Sequence, residues 1–176
     1  MAEHPEQVVL LDNDGNVVGA ADKATVHTAE TPLHLAFSCH VFDATGQVLV
    51  TRRALSKATW AGVWTNSFCG HPSPGESQEQ AIARRASQEL GITVSAIELV
   101  LPDFRYRAID ASGIVENEIC PVYRAVSTDA VKANPVEVSE WEWVDPAALT
   151  AAASAAPYAF SPWLVWQLEQ LTPVGE

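Results

Sequence analysis

The sequence predicts an α/β fold of the α+β kind: a sandwich of helices on a mixed sheet. Three observations predict it. Hairpins open the chain, one strongly signalled helix follows them, and further strands precede the closing helices. That order favours a mixed sheet over a doubly wound parallel one, where strands and helices alternate. The 176 residues, 48% of them hydrophobic, suffice for one domain with a substantial core.

In chain order, Val8 to Leu11 reads as a strand, and Asp12-Asn13-Asp14-Gly15 as the turn of a hairpin into Asn16 to Ala20. Residues 21–31 are polar and hold His27. Leu33 to Phe42 is expected to be one strand, with Leu33, Leu35, Phe37, Cys39 and Val41 on one face and His34 on the other. Asp43-Ala44-Thr45-Gly46 turns it into a second strand, Gln47 to Arg53. Asn66 to Pro72 is expected to be a Gly/Pro-rich turn. Ser77 to Leu90 is the clearest helix: Ser77 and Gln80 form a capping box, Ile82, Ala86 and Leu90 an apolar stripe, and Gly91 the stop. Residues 94–107 are extended and broken at Pro102, and Ile114 to Val126 is a further strand. Glu137 to Val144 is a short strand, Asp145-Pro146 starts an alanine-rich helix, and Ser161-Pro162 starts the last, Trp163 to Leu171.

Composition excludes several function classes. A net charge of −12 argues against a general nucleic-acid or anionic-membrane partner. No run approaches the ~20 apolar residues of a membrane span, and Met1 to Pro5 lacks the pattern of a secretory signal. Three cysteines, an odd and sparse set, fit free thiols in a reducing compartment, so a cytoplasmic location is expected. Seven of the ten Lys and Arg fall between residues 52 and 107, as one anion site or as unrelated surface charges.

The chemistry-bearing residues centre on Asn66 to Pro72. Cys69 and His71 stand two apart beside a flexible Gly70, which favours a reactive thiol over the buried small hydrophobe that a lone cysteine usually is. Glu116 and Glu118 occupy i and i+2 of a strand, so both carboxylates share a face. Like charges so placed need a cation between them, unless the strand is a solvated edge. Together with His27, His34 and His71 they would make an N3O2 site suited to manganese, zinc or a similar divalent ion.

The spacing Gly70, five residues, Glu76, seven residues, Arg84, then Glu89, Gly91 and Ile92 is close to the Nudix signature. The chain departs from it at Arg85 and Gln88, where the signature has glutamates that help hold hydrolytic magnesium. Glu89 is left as a plausible magnesium ligand, or else as the partner of Arg85 in an i, i+4 ion pair.

Six stretches extend the likeness: His27 to Ser38, Val50 to Lys57, Gly62 to Pro72, Asp103 to Ala108, Gly113 to Val122 and Phe160 to Trp163. Through them the chain resembles the type I isopentenyl diphosphate isomerase family, whose Nudix box is degenerate in the same sense. The resemblance implies one domain over residues 1–176, a Nudix-like α/β/α sandwich with a mixed central sheet and an added N-terminal hairpin. It implies conversion of isopentenyl to dimethylallyl diphosphate, by adding a proton at one carbon and removing another across the double bond. An unactivated alkene is a weak base, so two acid/base groups must face each other across a dry pocket.

Carried over residue by residue, those groups would be Cys69 and Glu118, with Tyr106 beside the glutamate. Which of the two supplies the proton stays open on the residues alone, and the family reading puts Glu118 on the protonation side. Lys23, Arg53, Lys57 and Arg85 would bind the diphosphate, and Trp163 would turn its ring face to the developing cation. His27, His34, His71, Glu116 and Glu118 would hold Mn2+ or Zn2+, while Glu89 and the backbone carbonyl of Cys69 would hold Mg2+. The expected partners are small isoprenoid diphosphates, with no nucleic acid and no membrane; the sequence leaves oligomeric state open. Two further readings are a Nudix hydrolase of a diphosphate substrate, which Arg85 and Gln88 weigh against, and an inactive isoprenoid-diphosphate-binding protein.

Overall fold

The computed structural model describes residues 6–171. The Met1 to Pro5 segment weighed as a signal and the short tail after Leu171 lie outside the described residues.

Strands β1 (Gln7–Leu11) and β2 (Val17–Asp22) form the expected opening hairpin, with the Asp12 carboxylate accepting the Asp14 and Asn16 backbone N–H groups in its turn. The polar stretch after it contains an unexpected helical turn, α1 (Lys23–Val26), because the Asp22 side chain caps it by accepting the Ala24 N–H.

The long strand expected over 33–42 is two strands, β3 (His34–Leu35) and β4 (Phe37–Phe42), parted at Ala36. After β5 (Val48–Arg53) and a short unexpected β6 (Trp64–Thr65) comes β7 (Phe68–Gly70). The Cys69 segment is therefore a strand and not a turn: it pairs antiparallel with β4, Ser38 opposite Cys69. Helix α2 (Gln78–Leu90) follows, with the Ser77–Gln80 capping box and Gly91 in the left-handed region at φ 62. Strands β8 (Ser95–Leu101) and β9 (Arg105–Ile109) are separated at Pro102 as expected.

The stretch 114–126, expected as one strand, is β10 (Val115–Ile119) and β11 (Val122–Val126). Pro121 has no N–H for a ladder, so the pairing has to lapse there. Strand β12 (Val138–Val144), α3 (Pro146–Ala155, capped by Asp145) and α4 (Pro162–Leu171) complete the described chain, each within a residue of expectation.

The strands form two mixed sheets rather than one. The smaller has order β2-β1-β3-β10-β9, and the larger β12-β5-β4-β11-β8 with β6 and β7 attached. The two breaks explain the division. β3 pairs parallel with β10, and β4 pairs parallel with β11. Between them the Ala36 N–H bonds to the Ile119 carbonyl at 2.9 Å and the Ser38 N–H to the Pro121 carbonyl at 3.1 Å. Both chains thus step from one sheet to the other side by side.

The larger sheet carries helices on both faces. Phe37, Cys39, Val41 and Leu49 turn to α2, where Ile82, Ala86 and Leu90 of the expected stripe are fully buried. Val48 and Val50, offset by one, turn to Leu149 and Ala153 of α3 and Leu164 and Leu168 of α4. A third cluster, with Ala36, Phe104, Cys120, Val122 and Trp163, fills the seam between the sheets. Burying side chains of this size contributes about 1.5–3 kcal/mol each.

Gly70 fixes how closely α2 approaches β7. A Cβ there would lie 2.8 Å from Arg85 Cγ and 2.8 Å from Phe37 Cζ. Gly70→Ala should therefore lower stability by about 1–3 kcal/mol, read as a lower denaturant midpoint at unchanged slope.

Candidate active site

Strand register assembles the centre. Across β3, β10 and β9, His34 stands opposite Glu118 and Glu118 opposite Tyr106. Glu116, two residues before Glu118 on β10, is brought to His27 at the end of α1, with Nε2 to Oε2 at 3.2 Å. His71 arrives from the end of β7, its Nε2 3.0 Å from Glu118 Oε1, and His34 Nε2 is 3.4 Å from the same oxygen. One ligand atom from each of His27, His34, His71 and Glu118 falls within a 4.8 Å group. The solvated-edge alternative for the glutamate pair fails, since β10 is an interior strand and Glu118 is 5% exposed.

These residues fit a divalent ion. His34 Nδ1 donates to the Pro32 carbonyl at 2.9 Å, which fixes its proton there and turns the Nε2 lone pair inward. His27 Nε2, His34 Nε2 and Glu116 Oε2 are buried without a hydrogen-bond partner among the described residues. Buried orphan atoms of this kind are costly unless something binds them, and imidazole with carboxylate suits zinc or manganese. Without an ion, burial opposes the charge of Glu118, but the nearby His34 and His71 rings hold its carboxyl well below the usual range. Burial keeps His71 less basic than usual, whereas in His34 the closeness of the Glu118 carboxylate overrides burial and raises it.

A cleft of about 340 Å³ opens beside this cluster and is lined by Cys69, Tyr106, Glu118 and Trp163. Cys39 and Cys120 are fully buried, but Cys69 is only half-buried and faces the cleft. Its desolvation pushes the thiol up to about 12, so at neutral pH it carries its proton. Burial, with Glu118 and Glu116 nearby, likewise raises Tyr106 well above an ordinary phenol. Asn66 Oδ1 accepts from Thr65 Oγ1 at 2.9 Å and Trp163 Nε1 at 3.2 Å, while its amide nitrogen donates to the Cys39 and Phe68 carbonyls. The Trp163 ring meets Trp60 edge-on at 5.2 Å and Tyr106 at 5.7 Å. Trp60 holds a strained φ of 44, its N–H bonded to Asp110 Oδ2 at 2.8 Å.

Lys23, Arg53, Lys57 and Arg85 line the same cleft. Of the other cations of the central segment, Arg52 pairs with Glu140, and Arg105 donates to the Asn13 carbonyl. Arg84 grips both Glu76 oxygens at 2.8 Å and the His71 carbonyl at 3.1 Å, which closes the 71–77 loop on α2. Arg53 donates to the Thr59 carbonyl and stands 5.5 Å from the centre of the Trp163 ring. Lys23 pairs with Glu6 at 2.6 Å. Arg85 does form the i, i+4 pair with Glu89, in a buried setting; burial outweighs the attraction of Arg85 and raises the Glu89 carboxyl.

Sequence reasoning missed Glu137, which pairs with Lys57 and reaches Arg85 at 3.3 Å. It stands 80 residues from Lys57, and no local pattern marks it. Ser38 and Gln167, which meet behind Cys69, were equally silent in the sequence. Two larger grooves, about 890 and 680 Å³, are lined by none of the candidate site residues, though the first shares Val138 with the cleft.

The family profile described as NUDIX domain matches residues 32–164. An isopentenyl-diphosphate Delta-isomerase of Clavibacter sepedonicus is 64% identical over 173 residues, covering 98% of this chain and 91% of the relative. Proteins of the same name from Leifsonia xyli subsp. xyli and Citrobacter koseri are 63% and 57% identical, covering 94% and 92% of this chain and 91% and 90% of theirs. The crystal structure of DR0079 from Deinococcus radiodurans superposes with a TM-score of 0.72 at 22% identity, covering 94% of this chain and 98% of that one, a likeness of fold alone. Identity of this order over nearly the whole chain, on a Nudix fold, makes this protein a member of the isopentenyl-diphosphate Delta-isomerase family.

Proposed function

We propose that the chain isomerises isopentenyl diphosphate to dimethylallyl diphosphate, with Cys69 and Glu118 handling the two protons. The observation that carries this reading is one cleft lined by an acid/base group from each sheet, Cys69 from β7 and Glu118 from β10, with Lys23, Arg53, Lys57 and Arg85 along its wall. A proton placed on the terminal methylene leaves a tertiary cation, and loss of a proton from the neighbouring chain carbon sets the new double bond. Tyr106, beside Glu118, relays or steadies the proton on that side. The indole of Trp163 is an electron-rich wall for the cation, and its burial keeps water from capturing it.

The cations anchor the diphosphate end. Their carboxylate partners, Glu6, Glu89 and Glu137, hold them extended until phosphate oxygens replace those contacts. His27, His34, His71, Glu116 and Glu118 would hold Mn2+ or Zn2+, and Glu89 with the Cys69 carbonyl would hold Mg2+ against the diphosphate. Bound ions there supply positive charge that steadies the Glu118 carboxylate and the diphosphate. Arg85 and Gln88 replace carboxylates that Nudix hydrolysis uses, which favours isomerisation over diphosphate cleavage.

The direct test is incubation with isopentenyl diphosphate in deuterated water. Dimethylallyl diphosphate carrying deuterium in a methyl group is the expected NMR result; release of phosphate, or binding with no exchange at carbon, would instead support a hydrolase or a binding protein. Cys69→Ala should lower turnover by about 10²–10⁴-fold while titration calorimetry still detects isopentenyl diphosphate, and retained turnover removes Cys69 from the chemistry. Dialysis against a chelator should abolish activity and lower the melting temperature, and Mn2+ or Zn2+ should restore both; undiminished activity after verified metal removal counts against the histidine-glutamate site.

A further inference from the structure

Behind Cys69, away from the cleft, a buried polar chain runs from α4 into β4. Ser38 and His40 occupy i and i+2 of β4 and so share a face. Gln167 of α4 spans both: His40 Nε2 lies 2.9 Å from Gln167 Oε1, and Gln167 Nε2 donates to Ser38 Oγ at 2.9 Å. Ser38 Oγ is also 3.2 Å from Cys69 Sγ and 3.4 Å from Cys120 Sγ. Ser38 and Gln167 are fully buried and His40 nearly so.

Donor arithmetic fixes the direction. A serine hydroxyl has one proton and two lone pairs. Gln167 fills one lone pair; the Cys69 S–H is directed at Asn66 Oδ1 at 3.4 Å, so its sulfur meets Ser38 as an acceptor of the Ser38 proton, and the remaining lone pair is left for the Cys120 S–H. Asn66 Oδ1 also accepts from Thr65 and Trp163, so the Cys69 S–H shares that oxygen with two other donors.

We propose that Ser38, oriented by Gln167, is a positioning residue for the isomerisation: its hydroxyl donates to Cys69 Sγ, fixes the sulfur's rotamer and keeps the thiol proton on the side away from Ser38. The buried amide–hydroxyl–thiol chain thereby aligns the reacting atom from behind without touching substrate. The catalytic part of this proposal rests on the reading that Cys69 works on substrate carbon.

Infrared difference spectra of the ligand-free protein, with Cys69→Ala as the blank, isolate the Cys69 S–H stretch. In Ser38→Ala that band should shift, and kcat should fall about tenfold at nearly unchanged KM. Ser38→Thr, which keeps the hydroxyl, should return both toward the parent. Gln167→Met leaves Ser38 in place but unoriented; it should reproduce the loss, and it carries the test should Ser38→Ala fail to fold. A kcat that falls with the band unmoved, or a band that shifts with kcat unchanged, overturns the proposal. Full turnover in Cys69→Ala would instead remove the reading beneath it, while the infrared arm would still report the hydrogen bond.

Discussion

Everything at the site depends on two parallel strand pairs that break in step. β3 leads to β4 through Ala36, and β10 leads to β11 through Cys120-Pro121, and the paired chains change sheets together. His34 and Glu118 lie just before the step, Ser38 and Cys120 at or just beyond it. A continuous pair would alternate side chains across one sheet and send His34 and Ser38 to distant places along it. The step instead folds the metal-type cluster of the small sheet against the thiol of the large one, and the cleft is the angle between them. Trp163 and Phe104 fill that angle from behind, so apolar packing and chemistry share one seam.

Much of this was legible in the sequence, for physical reasons. The capping box, the stripe of Ile82, Ala86 and Leu90, and Gly91 are local signals, and α2 obeys them. The pairing of Glu116 with Glu118 by strand period was legible too, as was the convergence of His27, His34 and His71, whose residue types have few other reasons to gather. The division into two sheets was hidden because an alternating apolar run reads the same whether it stays in one sheet or crosses between two. Only Pro121 carries a hint, in a segment otherwise rich in strand formers. The strand at Cys69 was missed because Gly70 and Pro72 signal a turn locally, while the pairing with β4 is tertiary. Glu137 and Gln167 were invisible for a plainer reason: their roles are set by partners 80 and 129 residues away.

The electrostatics of the cleft run against the charge of the whole molecule. A chain of net charge −12 sets Lys23, Arg53, Lys57 and Arg85 in one wall. Three of them are met by Glu6, Glu137 and Glu89. Pairs of this sort cost desolvation as well as gaining attraction, so they are better viewed as devices of arrangement than of stability. They keep long side chains at fixed positions, which lowers the entropy lost when an anion is bound.

Asn66 draws a last consequence. Its one amide receives the indole of Trp163 and Thr65, and it donates to the Phe68 carbonyl just before Cys69 and to the Cys39 carbonyl on the paired strand β4. The aromatic wall and the sulfur are thereby joined as one rigid jaw, anchored in the core. Trp60, edge-on to Trp163, sits in a loop tied down by its left-handed backbone, its N–H bond to Asp110 and the Lys57–Glu137 pair. Widening the cleft on the Asn66 side would break several buried hydrogen bonds at once.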